Sequence, residues 1–450
     1  MRLLWASLLG VALAAGVAGA STPVRAPSFS ALRVYTASED AGALTIADLN
    51  GDGKPDLAVT NTFSADEAPA TVSVRLNRGD GTFRPRRDYQ TANDPEVIAA
   101  GDLNGDGKTD LVTGQEDDES VSVLLNGGAA SFRNRHDYAV GADVEGLAIA
   151  DVNGDGKLDV VAASSSASSV YVLLNAGDGS LRAPAGYLAG AHPSSVAIGD
   201  LNGDGKPDLV TPNGDARGSV AALDNNGDGS FGTPRYTGSW AGTSAVAIAD
   251  VNGDGKPDVL APHAAGYRSA VGVLLNRGDG TFTAGGSYAV ERGSASSPAV
   301  GDFNGDGKPD LATLAGGVER ISLLLNRGGG AFGPALSYRG GGGEVGGGFD
   351  AADLNGDGTP DLVAASAPYD VGRVQVSLSR STRCNVQDVR RMTLTAAKAL
   401  LQLAHCGLGR VRSQHSAVRA GRVFSQSPAF GRVLPAGTKV GLLISTGRRR

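Results

Sequence analysis

One nine-residue phrase governs what this chain can fold into. Asp48-Leu49-Asn50-Gly51-Asp52-Gly53-Lys54-Pro55-Asp56 returns with little change at Asp102, Asp151, Asp200, Asp250, Asp302 and Asp353, at intervals of 54, 49, 49, 50, 52 and 51 residues. A fixed period of this size belongs to repeat architectures, in which each unit buries its apolar face only against its neighbours. Each copy sits between two short runs of β-formers, residues 43–47 and 57–59 in the first. These runs are strand-length and bounded by turn residues. A third run such as 121–125 follows, then a turn like 276–280 and a fourth run between Phe282 and Tyr288. Four strands in about 50 residues is one blade of a β-propeller.

The ends of the array predict a closed ring. The last repeat stops after its third run, at residues 374–378, while Phe29 and Tyr35 at the N-terminus keep the six-residue spacing of Phe83 and Tyr89. The N-terminal strand then completes the last blade, so residues 28–380 form seven blades with no free sheet edge. The 67 glycines among 450 residues, about twice the usual ~7 %, suit many tight turns. Tyr35, Tyr89, Tyr138, Tyr187, Tyr236, Tyr288 and Tyr338 recur in register and read as structural.

The repeats resemble the FG-GAP or VCBS repeats of integrin α-subunit propellers and their bacterial relatives. The resemblance implies the propeller fold and a metal. The residues themselves support a hard divalent cation, because Ca²⁺ takes six to eight oxygens and closely spaced short acids supply them. The first, third, fifth and ninth positions of each copy are the expected side-chain ligands, and the seventh offers a backbone carbonyl, as at Lys54. The sets are Asp48, Asn50, Asp52 and Asp56; Asp102, Asn104, Asp106 and Asp110; Asp151, Asn153, Asp155 and Asp159; Asp200, Asn202, Asp204 and Asp208; Asp250, Asn252, Asp254 and Asp258; Asp302, Asn304, Asp306 and Asp310; and Asp353, Asn355, Asp357 and Asp361. An EF-hand needs a Glu at position twelve, where these loops carry Val59, Thr113, Ala162, Thr211, Ala261, Thr313 and Ala364. The ninth Asp is therefore expected to close each site. Up to seven structural Ca²⁺ ions follow.

Charge divides the chain in two. Residues 380–450 hold 14 Lys or Arg and one acid, Asp388, a balance of +13, against −20 upstream where 26 basic face 46 acidic residues. The acidic body argues against nucleic-acid binding, which needs a basic footprint. Met1 to Ala20 reads as a secretory signal peptide, with Arg2, an apolar run and Ala18-Gly19-Ala20 at the cleavage site. No later run of 18 apolar residues predicts a membrane span. The protein is expected to be secreted, extracellular or associated with a cell wall.

Beyond Arg380 the pattern changes to a helix capped by Thr393 and running from Leu394 to Ala404, with Gly407 as its stop. Strands at Val411, 423–424 and 440–444 follow. Residues 382–447 resemble a PASTA domain, a small α+β module, on Val423, Gln426, Pro428, Gly431, Gly437, Val440, Leu442, Ser445, Thr393 and Ala397. Gln387 and Arg391 stand where that family often has Pro and Gly. The resemblance implies the module found on penicillin-binding proteins and bacterial Ser/Thr kinases, and thus peptidoglycan as a partner, while the +13 charge suits either an anionic wall polymer or a solvated surface. Cys384 and Cys406, the only cysteines, are expected to pair in an oxidising compartment.

Other motifs are weaker. Residues 224–229 open like a further calcium loop but have Gly232 at the ninth position, and Arg78-Gly79-Asp80 and Arg277-Gly278-Asp279 fall in repeat turns. The five His are scattered, with no zinc pair and no nucleophile elbow. No catalytic residue is assigned. The connections opposite the calcium loops vary, including residues 115–119, 262–267 and 340–348, and variable loops on a rigid scaffold carry binding. Trp240, Tyr267 and Tyr369 fall on them, with inter-blade packing as the expected role of Trp240. The sequence thus predicts a mainly β, seven-bladed, calcium-loaded propeller with a PASTA-like tail. Its expected role is non-catalytic: binding a glycan or protein at a bacterial cell envelope. A polysaccharide-active enzyme using acids on the variable face, or a purely structural surface protein, is the alternative.

Overall fold

The computed structural model describes residues 26–37, 41–61, 70–214, 220–238, 240, 242–243, 245–265, 268–292, 298–315, 320–340, 348–366, 372–380, 383–385, 388–403, 406–429, 433–435 and 439–447. The expected leader at 1–20, Tyr267 and Tyr369 lie outside them. So does the Cys384 side chain, and with it the expected disulfide.

Seven four-stranded antiparallel sheets occur among the described residues. The first runs Ala41–Ala47, Asp56–Asn61, Thr71–Arg75 and Arg87–Gln90 in chain order. The second to seventh open at Pro95–Gly101, Gly146–Ala150, Ala197–Gly199, Ala247–Ala249, Ala299–Gly301 and Phe349–Ala352. Each sheet is one repeat, and the acidic phrase is the tight connection between its first two strands. In the first sheet the register runs from Ala47 opposite Asp56 to Leu44 opposite Val59. The middle strands, such as Asp56–Asn61, are buried along their whole length because both faces pack on neighbouring sheets. Their Leu-Val-Ala runs therefore do not alternate as a half-exposed strand would. Outer strands such as Arg87–Gln90 are largely exposed.

The array is circular. Arg33–Thr36 pairs with Arg373–Ser377, with Arg33 opposite Val376 and Thr36 opposite Arg373, so the N-terminus supplies the outer strand of the seventh sheet. Ser28–Phe29 pairs with Ser379–Arg380 just beyond. The first strand of the first sheet touches that of the second on one side and that of the seventh on the other.

Two side-chain devices join consecutive sheets. On the rim, a Tyr of one sheet meets a Phe of the next edge-to-face: Tyr35–Phe83, Tyr89–Phe132, Tyr187–Phe231, Tyr288–Phe332 and Tyr338–Phe29, with centroids 5.0–5.7 Å apart. Each such pair contributes about 0.5–1.5 kcal/mol beyond its burial. Deeper in, an Asn after the third strand reaches back to the preceding sheet. Asn77, Asn126, Asn175, Asn225, Asn276 and Asn326 donate from Nδ2 to the carbonyls of Leu354, Leu49, Leu103, Val152, Leu201 and Val251 at 2.7–2.9 Å. The seventh sheet has Ser379 at this place, which bonds within its own sheet to the Thr359 carbonyl.

The C-terminal module holds the one helix among the described residues, Leu394–Leu403. Thr393 Oγ1 accepts the Ala396 N–H at its start. Gly407 opens the strand Gly407–Gln414 rather than ending the helix, whose last turn closes through Cys406 N–H to the Leu401 carbonyl. That strand runs parallel to Lys439–Ser445, which Val423–Ser427 flanks on its other side. Val389, Ala397, Leu401, Cys406, Val423, Val440 and Leu442 form its core.

Asn175 donates to the carbonyls of Leu103 and Leu158 and accepts the Gly177 N–H from a fully buried position. Asn175→Ala leaves these groups unpaired. It should lower unfolding free energy by about 2–4 kcal/mol in urea titration, whereas Ser379→Ala, which crosses no sheet boundary, should cost less than half as much. Equal losses would show that the inter-sheet bond is not what holds neighbouring sheets.

Candidate metal centre

Every acidic loop is wound around its first carboxylate. Asp48 accepts the N–H groups of Gly51 and Asp52 on Oδ1 at 2.8 and 3.2 Å and that of Gly53 on Oδ2 at 2.7 Å. Asp102, Asp151, Asp200, Asp250, Asp302 and Asp353 accept from the matching donors. The winding requires positive φ at two places in the loop, +78° at Gly51 and +77° at Gly53, a region open to glycine at little cost.

The fifth and ninth positions part company. Asp52, Asp106, Asp155, Asp204 and Asp306 lie near the surface and pair with the Lys two residues on, at 2.7–3.6 Å. The bond from Lys108 holds the Asp106 carboxyl below the usual carboxylate range. The ninth Asp is fully buried in all seven loops. Asp56 takes the Leu49 N–H and Asn50 Nδ2 on Oδ2, and the N–H of Asn77 on Oδ1 at 2.7 Å. Asn126, Asn175, Asn225, Asn276, Asn326 and Ser379 repeat that last bond to Asp110, Asp159, Asp208, Asp258, Asp310 and Asp361. The ninth Asp thus fastens its loop to the turn after the third strand. Burial raises the pKa of all seven, and pushes Asp310 and Asp361 up to about 7. The third-position Asn varies: Asn50 donates to the ninth Asp, whereas Asn104 and Asn153 accept the fifth-position N–H.

The donor set of each loop is oxygen with no sulfur or imidazole, and neighbouring carboxylates repel one another, as Asp302 and Asp306 do Asp310. That chemistry fits a hard divalent cation. The three Asp of a loop are nevertheless not drawn together by the loop alone. Among the described residues, three carboxylate, imidazole or thiol ligand atoms lie within 4.8 Å of one another only at Asp94, Glu96 and Glu116.

This second acidic group sits on the opposite face, where Asp94 precedes the first strand of the second sheet and Glu116 follows its second strand. Burial, with repulsion from Asp94, Glu116, Glu145 and Asp117, raises Glu96 from the ordinary 4.5 to about 7. Asp143 and Glu145 extend the patch onto the third sheet, where they accept hydrogen bonds from Ser164, Ser165 and Ser166. Sequence reasoning singled out residues 115–119 but not Asp94, Glu96, Asp143 or Glu145. Acids near both ends of two consecutive repeats were the available signal.

Other singled-out residues fall as repeat geometry dictates. Asp80, Asp228 and Asp279 accept hydrogen bonds from the residue two positions on, in the turn between third and fourth strands. Trp240 stacks on His263, with centroids 5.0 Å apart and rings 16° from parallel. Its indole also fills the space over Gly272, where a Cβ would come within 2.5 Å. The Trp240 ring is spent on packing between the fourth and fifth sheets.

The FG-GAP-like repeat family matches residues 48–113, 102–162, 151–211, 212–261, 264–313 and 314–364, which is more than half of the chain. The chain belongs to the FG-GAP repeat family. Residues 385–446 match the PASTA domain. No curated protein matches this FG-GAP protein. Among solved structures it is similar to one described as BBS1N in complex with ARL6DN, soaked with lead, at 11 % identity and TM-score 0.50, covering 76 % of this chain and 93 % of that one. A lectin of Agrocybe aegerita described as recognising non-reducing terminal N-acetylglucosamine is 24 % identical with TM-score 0.48, over 67 % of this chain and 81 % of that one. The Tc holotoxin pore of Photorhabdus luminescens is 19 % identical with TM-score 0.36, over 74 % of this chain and 17 % of that one. At 11 % identity the likeness to the BBS1N complex is one of fold alone.

A carboxyl whose pKa is higher folded than unfolded binds more protons in the folded state. Its contribution to stability is therefore lost as pH rises, here between about 4.5 and about 7 for Glu96. Glu96→Gln should leave the melting temperature nearly unchanged at pH 5 and raise it at pH 8, read by calorimetry in EDTA. Equal shifts at both pH values would remove the like-charge explanation.

Proposed function

We propose that this protein is a secreted, calcium-loaded binding protein of a bacterial cell envelope, in which the propeller presents a ligand face and the PASTA domain holds the wall. The observation that carries the reading is the junction of FG-GAP repeats with a PASTA domain in one chain, with net charge +13 on the side of the latter. Seven blades and seven cation sites fit the seven sheets and their loops. The first, third and fifth side chains of each loop, with the ninth Asp behind them, are the groups that would hold each Ca²⁺, and the ion would supply the positive charge that draws their mutually repelling carboxylates together. Filling all seven sites moves the upstream charge from −20 to about −6. An ion that binds only the folded chain stabilises it by RT ln(1 + [L]/Kd) per site.

The ligand face is the one opposite the acidic loops, where connections vary and no catalytic constellation of nucleophile and base is assigned. Among the described residues no helix is long and apolar enough to cross a membrane. A disulfide between Cys384 and Cys406 would fit the buried position of Cys406 and an oxidising compartment. One observation favours a second reading: a carboxyl titrating near neutrality, Glu96, amid other acids on the ligand face, suits acid catalysis on a polysaccharide. Failure to release new reducing ends from wall polysaccharide at pH 6–7 would dispose of it.

The wall role is tested by sedimenting residues 21–450 with purified peptidoglycan sacculi beside a chain ending at Arg380, which keeps the Ser28–Arg380 pairing. Only the full chain is expected to pellet; pelleting of neither removes the wall from the reading. In the same preparations calcium should raise the melting temperature of both chains by several degrees relative to EDTA, and an unchanged melt would overturn the calcium assignment.

A further inference from the structure

The rim between the fifth and sixth sheets opens into a cavity of about 430 Å³, lined by residues 287–291 of one sheet and 332–335 of the next. Repeat register shows what occupies the corresponding place elsewhere. Between the seventh and first sheets, the buried Arg75 guanidinium lies 5.3 Å from the Tyr35 ring centroid. Its two terminal nitrogens donate across the groove, to the Arg84 carbonyl on one wall and the Thr36 carbonyl on the other. Between the first and second sheets, Arg135 reaches over to the Thr91 carbonyl. An internal guanidinium thus bridges both grooves beside a rim Tyr–Phe pair.

The fifth–sixth groove keeps the walls and lacks a cation at those places, while Arg327, the counterpart of Arg78, packs on Gly333. Tyr288 and Phe332 make the same edge-to-face pair as Tyr35 and Phe83. Counted from that pair, Gly333 replaces Arg84, Ala289 replaces Thr36, Leu324 stands at the place of Arg75, and Ala335 at that of Arg135. At the third position after the repeat Tyr, where the other copies have Ser38, Ala92, Gly141, Gly190, Ser239 and Gly341, this groove has Glu291. Among the described residues the Glu291 carboxylate has no ion-pair partner, and its backbone N–H is fixed by Ser322 Oγ at 3.0 Å. The one groove with a carboxylate at this place is therefore among those with no arginine at the Arg75 or Arg135 place.

We propose that this groove is a binding site for a guanidinium group carried on an arginine side chain of an extended peptide. The planar cation lies beside Tyr288, bridges the Gly333 and Ala289 carbonyls as Arg75 bridges their counterparts, and meets Glu291. A guanidinium satisfies such a fork of acceptors, whereas an ammonium is a point charge without the plane.

The test is titration of the full chain in calcium with Nα-acetyl-arginine amide and, separately, Nα-acetyl-lysine amide, followed by calorimetry and by NMR shifts of labelled tyrosine. Saturable arginine binding about tenfold tighter than lysine, weakened about tenfold by Glu291→Gln and abolished by Ala335→Arg, is the expected result. The first substitution alters a partly exposed side chain and the second supplies the cation internally. Melting temperatures within two degrees of the parent, about the span of a negligible stability change, certify both folds. Absence of saturable binding to the parent overturns the proposal. So does binding that both substitutions leave unchanged, since that locates arginine elsewhere.

Discussion

The ring depends on a single buried relay that crosses from sheet to sheet. In each of six sheets an Asn gives its backbone N–H to the ninth-position Asp of its own loop and its side-chain amide to a carbonyl of the preceding sheet. The Asp also accepts the N–H of the loop's second residue, whose carbonyl receives the following sheet's Asn, as at Leu103. Acidic loop, turn and neighbouring sheet are thus one hydrogen-bonded unit. Buried amides and carbonyls left without such partners would cost more than the bonds contribute when made. Local loop geometry and long-range assembly are set by the same few atoms.

That relay explains why an acid is tolerated in so dry a place. Asp56 and its six counterparts are fully buried, and burial raises their proton affinity, yet each is answered by two or three N–H donors. The fifth acids Asp52, Asp106, Asp155, Asp204 and Asp306 stay near the surface beside a Lys, whereas Asp357 is buried. Within the phrase the ninth Asp therefore has a task in the fold besides its place in the proposed ligand set.

Much of this was legible in the sequence because the repeat was nearly perfect. The period, the strand-length runs and the Phe–Tyr spacing of residues 29 and 35 led to the four-stranded sheets and to the pairing of Arg33–Thr36 with Arg373–Ser377. The tail's helix was visible from its Ala-Leu composition and the Thr393 cap, although Gly407 proved to be the first residue of a strand. What stayed hidden depends on atoms far apart in the chain. Asn126 and Leu49 are 77 residues apart, and no local pattern marks an Asn after a strand as a bridge. Spacing marked the ninth Asp as a ligand of its loop's ion but could not show that its carboxylate also accepts the N–H of a distant turn, as Asp56 does from Asn77. The Asp94–Glu96–Glu116 group was missed because its members stand at the start of one strand and the end of the next, some 20 residues apart in the chain.

The strand at Arg33–Thr36 has an outcome in time as well as in space. Its only sheet partner is Arg373–Ser377, some 340 residues later. During synthesis it must wait, without its sheet partner, while six sheets assemble behind it. The ring is then locked by the last strand to emerge, and the first strand marks the moment of completion. Any product that ends before residue 373 retains an open seam at which the last sheet lacks two of its four strands, so a quality-control protease that recognises loose strands would sort finished molecules from unfinished ones at this one place.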